Sequence, residues 1–538
     1  MPELSQPERS CDLVMKGGIT SGVVYPHAVL EIAKNFRLAN VGGTSAGAIA
    51  AGLSAAAEYG RDQGGFKKLG RLSDFLKDHL LDLFQPHPRH RKAFKRLLAL
   101  MDKQKRRKAR GRDLVEGLGD VVKLVPTAWR VVQSYRCLDT TYYGLCPGTT
   151  QAGRVPALTD WLTEMVEQIA GRMDGDELPA TPLTFGDLEK KGILLRTLTT
   201  DLGGKRPVVL PLIDESWMFR EDEFRALFPG HIVDWMVEKG EADEKAKGFF
   251  KLPRSQDLPV LFGMRLSLSF PFLLAAIPLY RRDFSLRLDK DEQWKPRCCW
   301  MSDGGLSSNF PIHLFDSPMP QRPTFGISLT EFSPHRHDRD PTSVSGRVFL
   351  PKDDNPNAGR LRPIGTVGSP IGFLGAMFDT ARNWQDSLQT VLPGYRERIV
   401  QIALTKEEGG LNLDMDPDVV ARLLKYGQRA GQELSGFNLQ EHQWRRFLAS
   451  YGAFEAAFEG MAETYDEFRS AVASHKPLGY EALLPGREEL LGRLDSLMAV
   501  AKAWAKEPRR NNVANGRGVP KPRARLKFAP KDQGASAD

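Results

Sequence analysis

No stretch of this 538-residue chain reads as a membrane-crossing helix. The longest apolar run, Leu258 to Tyr280, is broken by Arg265, Pro271 and Pro278, and a spanning helix would have to bury that arginine and tolerate both prolines. The opening residues MPELSQPERSCDLVM lack a basic stretch followed by an apolar one, so no signal peptide is expected. Cysteine is scarce. Cys11, Cys137, Cys146, Cys298 and Cys299 form an odd set without a Cys-x-x-Cys spacing, which excludes a disulfide framework and the usual zinc pairs. Reduced thiols in a cytoplasmic compartment are the expectation. No internal repeat is found.

Acidic residues are nearly missing from two blocks. Residues 86–112 carry twelve Lys/Arg against Asp102 alone, and residues 508–531 carry eight against none. Together these blocks hold +19 of a chain whose net charge is +8, which leaves −11 for everything else. Basic blocks suit anionic lipid or nucleic acid, or are simply solvated. Within 86–112, Phe94, Leu97, Leu98, Leu100 and Met101 interleave with the charges, as in a segment lying on an anionic bilayer. No nucleic-acid-binding motif accompanies either block. Over the whole chain, 41% apolar and 26% charged residues suit a folded protein, while 508–538 reads as a disordered tail.

Strand-like and helix-like segments alternate over 11–60, which implies a mostly parallel sheet with covered faces. Cys11–Met15 reads as a strand, Lys16–Gly22 as a glycine-rich turn, His27–Phe36 as helix and Leu38–Val41 as strand. Ala46–Glu58 is so alanine-rich that helix follows. Residues 62–182 change character to charged helical segments and read as an insertion. Strands return at Gly192–Thr199 and Pro207–Leu210, then a helix at Met264–Leu274, a strand at Cys298–Met301, a long loop over 331–370, a helix over Phe373–Leu392 and a strand at Arg396–Leu404. Asp416-Pro417 is a helix start, with Asp as N-cap and Pro at the first helical position. Residues 440–506 are helical with an aromatic face.

Three short motifs carry chemistry. Gly43-Thr44-Ser45-Ala46-Gly47 is a G-x-S-x-G at a strand-to-helix turn. A sharp turn there lifts the serine oxygen clear of the backbone. The helix start offers amides and the positive end of its dipole to a developing oxyanion. Lys16-Gly17-Gly18-Ile19-Thr20-Ser21-Gly22 follows the first strand and could aim backbone N–H groups at one point. It is neither a Walker loop nor a G-x-G-x-x-G. Asp303-Gly304-Gly305 places a carboxylate at a strand end. In water such a group is a poor base for an alcohol; partly desolvated and held against the hydroxyl, it becomes a useful one.

KGGITSG, GTSAG and DGGLSSNFP, in this order, resemble the glycine-rich loop, nucleophile elbow and Asp-Gly-Gly/Ala motif of the patatin-like phospholipase family. RLSLSFPFLLAAIPLY and RTLTTDLGGKRPVVL resemble its Ser-rich helix and central strand region. The resemblance covers roughly 10–60 and 183–435 and implies a three-layer α/β/α sandwich. The catalytic domain would then span 8–438, interrupted by the 62–182 insertion and followed by a helical extension (439–507) and the tail (508–538). It also implies a Ser45–Asp303 dyad without histidine, an oxyanion hole from Gly17, Gly18 and Ala46, support from Gly43, Gly47, Gly304 and Gly305, and neither metal nor cofactor. The substrate implied is an acyl lipid, cleaved by a peripheral enzyme that meets an anionic membrane through 86–112 and 508–531. A lysophospholipase, neutral lipase or thioesterase on the same dyad stays open, as does a silent scaffold. Lys16 and Thr20 depart from the family's usual Asp or Gly and Lys or Arg.

Other residues are weighed and set aside. His313 suggests a triad but follows Asn309-Phe310-Pro311 into a flanking helix. His27 reads as a cap or packing residue, and His87 and His90 as solvated. Asp414, Asp416 and Asp418 fail as a calcium loop because Val419 stands at the glycine position and Lys425 at the glutamate. Cys298 and Cys299 point to opposite strand faces as packing residues.

Overall fold

A computed structural model describes residues 7–18, 21–108, 138–152, 155–212, 216–284, 294–317, 319–333, 343–351, 395–405, 407–409, 412–413, 415–475 and 486–506, with residues 367, 373, 376, 377 and 380. Its strands are β1 Ser10–Met15, β2 Arg37–Thr44, β3 Gly144–Cys146, β4 Leu194–Asp201, β5 Arg206–Leu210, β6 Met218–Arg220 and β7 Phe249–Lys251. They continue as β8 Phe272–Leu274, β9 Ile277–Arg281, β10 Arg297–Asp303, β11 Thr324–Glu331, β12 Val348–Phe349 and β13 Ile399–Leu404. The principal helices are α1 Tyr25–Ala33, α2 Ala46–Tyr59, α3 Gly65–His79, α4 Arg91–Lys108, α5 Leu158–Ile169, α6 Val260–Ser267, α7 Pro417–Ser435, α8 Leu439–Ser474 and α9 Arg487–Lys506.

One eleven-stranded sheet runs β12-β13-β11-β1-β2-β4-β10-β9-β6-β7, with β5 on β4. It is mixed, which corrects the expectation of a mostly parallel sheet. From β13 to β4 the strands are parallel, but β5, β10, β9, β6, β7 and β12 pair antiparallel. The cause is connection length. Parallel neighbours need a crossover of a dozen or more residues, whereas Leu202–Lys205 alone joins β4 to β5.

Twelve of the fourteen residues of α2 are buried, so it is a core helix rather than a one-faced surface helix. Its small side chains allow close approach: a Cβ on Gly52 would stand 2.4 Å from the Met264 sulfur of α6. Much of the 62–182 segment joins this core. Phe66, Leu69 and Leu72 of α3 and Leu158, Trp161 and Leu162 of α5 are buried in the main apolar cluster with α2. Each such side chain contributes about 1.5–3 kcal/mol, against about 0–1 kcal/mol for an exposed ion pair. Apolar packing, more than exposed ion pairs, holds α3 and α5 in place.

Other expectations are corrected. In α4, Phe94 is buried and Leu97 and Leu98 pack on the core, so these three of the side chains expected to lie on lipid turn inward, while Arg91, Lys92, Lys95 and Arg96 are exposed. His90 is buried, not solvated, and its Nε2 lies 2.8 Å from Thr141 Oγ1. The expected helix Met264–Leu274 is displaced to Val260–Ser267, because Pro271 lacks an N–H and disfavours helix in the residue before it. Part of the expected 331–370 loop is ordered: Val344–Arg347 form a helical turn and β12 pairs with β13. Asp416 caps α7 by accepting from the Asp418 N–H at 2.9 Å, with Pro417 at the first helical position. Most of the expected 373–392 helix, Asp414, Cys137 and the 508–538 tail lie outside the described residues.

Candidate active site

Ser45 stands between the last residue of β2 and the first of α2, with φ 56° and ψ −130°. A residue with a Cβ adopts such a backbone at a cost of about 1–3 kcal/mol, so its surroundings must hold it there. Its N–H donates to Ser267 Oγ (3.0 Å) and its carbonyl accepts from the Ala48 N–H (2.9 Å). The glycines are required by close approach. A Cβ on Gly43 would stand 2.3 Å from the Gly47 carbonyl oxygen, and one on Gly47 2.3 Å from that of Met15. The elbow can close against the end of β1 only with glycine at both positions.

The loop after β1 lies against Ser45. A Cβ on Gly17 would be 3.2 Å from Ser45 Cβ. The Gly17 N–H, expected to face an oxyanion, instead donates to the Asn309 carbonyl at 2.9 Å. Of the amides expected to hold an oxyanion, this conformation leaves Gly18 and Ala46, and Ala46 heads a helix, where no carbonyl four residues earlier can accept. Lys16 Nζ donates to the Leu329 carbonyl (2.9 Å), which ties the loop to β11. Tyr25, whose phenol pKa is pushed up by burial, donates its O–H to the Lys16 carbonyl. Ile19 and Thr20 lie outside the described residues.

Asp303 ends β10 and is 2% exposed, as is Ser45. Its Oδ1 accepts from the Gly305 N–H (2.9 Å), its N–H donates to the Ser269 carbonyl (3.0 Å) and its carbonyl accepts from Thr200 Oγ1 (2.9 Å). Gly304 has no room for a side chain, since a Cβ there would stand 1.9 Å from the Leu198 carbonyl oxygen. Register brings the two motifs level. Thr44 pairs with Leu198 on one side of β4, and Asp303 pairs with Thr199 on the other. Their backbones are therefore about two strand spacings, roughly 10 Å, apart. Ser267 lies between them: its Oγ holds the Ser45 amide and would stand 3.2 Å from a Cβ on Gly304.

Two residues of this arrangement were not identified from sequence. Ser267 and Asn309 lie within quoted motifs, but nothing in the strings distinguishes them from Ser269 or Ser308. The Asn309 carbonyl accepts from both the Gly17 N–H and Thr44 Oγ1 (3.1 Å), which clamps the loop to the elbow. His313 is exposed on a 3-10 turn, unlike the buried Ser45 and Asp303. His27 lies 3.3 Å from Ser73 Oγ.

An apolar cavity opens beside Ala46, the residue after Ser45. Its volume is about 90 Å³, and Ile49, Ala50, Leu53, Leu76, Trp161 and Leu273 are among its walls. The 62–182 segment supplies much of that wall through Leu69, Leu72, Leu76, Leu80, Leu83, Phe84, Leu158 and Trp161. Among the described residues, no group of three or more His, Cys, Asp or Glu could hold a metal ion, and no helix is long and apolar enough to cross a membrane.

No family model matches the chain. The RpoH suppressor of Rhizobium meliloti (strain 1021) is 34% identical to it over 97% of this chain and 99% of that protein. Among solved structures, VipD from Legionella pneumophila aligns over 95% of this chain and 94% of its own, at 12% identity and a TM-score of 0.28. A structure of full-length SpcU with full-length ExoU from the type III secretion system of Pseudomonas aeruginosa aligns over 95% and 73%, at 16% identity and 0.26. Structural similarity this low carries no argument about chemistry.

Proposed function

We propose, from the premise that this chain belongs to the family of the Rhizobium meliloti RpoH suppressor, that it is a patatin-like serine hydrolase cleaving carboxylic ester bonds of phospholipids or related acyl lipids. One observation carries the reading: a serine held at φ 56° at a strand-to-helix elbow, whose next residue, Ala46, lines a cavity with apolar walls. An elbow serine is placed for nucleophilic attack, and an apolar cavity lined by the following residue suits an acyl chain better than a sugar or phosphate.

In this mechanism Ser45 Oγ attacks the ester carbonyl while Asp303 takes the hydroxyl proton. Charge develops on the carbonyl oxygen, where the Gly18 and Ala46 amides and the start of α2 stabilise it. As the tetrahedral intermediate collapses, the departing alcohol takes the proton from Asp303. Water then attacks the acyl-enzyme, with Asp303 again as base, and releases the fatty acid and Ser45.

The direct test is hydrolysis of an ester series of increasing acyl length and of phospholipids differing in head group. Wild type should prefer long acyl chains, Ser45→Ala should be inactive, and Asp303→Asn should lose roughly 10²–10⁴-fold. Activity retained in Asp303→Asn would move the base elsewhere. Lysophospholipase, neutral lipase and thioesterase variants of the reading separate on the same panel, and a silent scaffold would show no Ser45-dependent turnover.

Peripheral docking on an anionic bilayer, through the exposed basic side of α4 and the 508–531 block, is part of this proposal. Reversing the charges of Arg91, Lys92, Lys95 and Arg96 should weaken binding to anionic vesicles and leave soluble-ester hydrolysis unchanged. Undiminished vesicle binding would contradict the docking role.

A further inference from the structure

At the N-terminal edge of β13 and β11, on the opposite side of the sheet from Ser45, α8 closes over a buried cluster of arginines. Arg398, just before β13, and Arg446, on α8, share one carboxylate: Arg398 Nη2 lies 2.6 Å from Asp316 Oδ1 and Arg446 Nη2 lies 3.3 Å from Asp316 Oδ2. Both guanidinium groups also lie over the Tyr395 ring, at 4.9 and 4.3 Å from its centroid. His442, one helical turn before Arg446, is buried with them. Beside this group, Arg445 pairs with Glu441 and approaches Glu397, which also lies near Arg396. Arg398 and Arg446 thus share the single carboxylate of Asp316, two positive charges against one negative within this buried group.

The hydrogen-bonding ledger is also open. Arg398 Nε and Nη1, Arg446 Nε and both ring nitrogens of His442 are buried and have no partner among the described residues. Arg398 is fully buried, and His442 and Arg446 are 1% and 4% exposed. Buried guanidinium N–H groups are rarely left unmade, because the full cost of desolvation then goes uncompensated. A neutral imidazole can add one more donor. Excess positive charge and unfilled donors around one shared carboxylate call for a single type of ligand.

We propose that Arg398, Arg446 and His442 form a binding site for a small soluble oxyanion, of the phosphate or carboxylate class, that joins α8 to the sheet. Planar guanidinium groups match the paired oxygens of such an anion. Complete burial of Arg398 excludes a head group still anchored in a bilayer. The site is independent of the chemistry at Ser45, and neither claim depends on the other.

Thermal unfolding of the full chain, in inorganic phosphate, acetate or chloride at matched ionic strength, tests this. Phosphate or acetate should raise the unfolding midpoint with saturation, as for a ligand that binds only the folded state, and chloride should not. In R446M the anion-specific rise should vanish. Since R446M could fail to fold, wild-type protein is also titrated calorimetrically with phosphate and with acetate. A saturable one-to-one isotherm for either is expected. No isotherm with either anion would show that water alone fills these donors and would overturn the proposal, as would an unchanged anion response in folded R446M.

Discussion

The backbone of Ser45 makes a prediction about stability that runs opposite to activity. Its φ of 56° costs a residue with a Cβ about 1–3 kcal/mol, and glycine adopts it without that penalty. Ser45→Gly should therefore unfold at a higher temperature than wild type, by a margin worth about 1 kcal/mol after glycine's extra chain entropy is subtracted, while losing all esterase activity. A lowered midpoint would mean that the surroundings do not hold strain at this residue. The position was legible in sequence because Gly43, Gly47 and the alanine run after them leave few alternatives to a tight strand-to-helix turn. Ser267 and Asn309 were not legible. Each reaches the elbow from more than 200 positions away, and each contributes through a group that carries no sequence signature, an ordinary hydroxyl and a backbone carbonyl.

At the scale of elements, the cavity shows what the 62–182 segment contributes. In sequence it reads as an insertion of charged helical segments, with the apolar residues between 94 and 101 set toward a lipid surface. In the fold α3 and α5 pack on α2, and their leucines and Trp161 wall the cavity that Ala46 lines. No single-helix pattern distinguishes a face that packs on a neighbour from one that lines an empty space. The cavity predicts selectivity for chain length. Ala50→Phe fills part of it from α2 and should cut turnover of long-chain esters by about tenfold or more, while an acetyl ester is hydrolysed at nearly the wild-type rate. Equal losses on both substrates would separate the cavity from acyl binding. The antiparallel flank of the sheet was partly hidden for a similar reason: strand positions were readable, but pairing direction depends on connections such as Leu202–Lys205, whose length is fixed only once the exact strand ends are known.

For the whole molecule, the contact of α8 with the sheet sets a pH dependence. Burial, then the charges of Arg398, Arg446 and Arg445, lower the pKa of His442 from 6.5 to about 3, with Asp316 opposing. The unfolded chain therefore takes up a proton that the folded chain refuses. Stability is complete above pH 6.5 and falls as pH drops from there toward 3, at no more than about 1.4 kcal/mol per unit from this group. In phosphate-free buffer His442→Leu should lose less stability than wild type between pH 7 and about 5. Parallel losses would place the acid sensitivity elsewhere.

The central claim is that one serine becomes covalently modified with help from one aspartate. Mass spectrometry of the intact chain and its peptides after reaction with a fluorophosphonate tests it most directly. The account predicts a single adduct on the peptide carrying Ser45, no adduct in Ser45→Ala, and labelling slowed by roughly 10²-fold or more in Asp303→Asn. An adduct on another residue, or labelling that persists at the wild-type rate without Asp303, would contradict it.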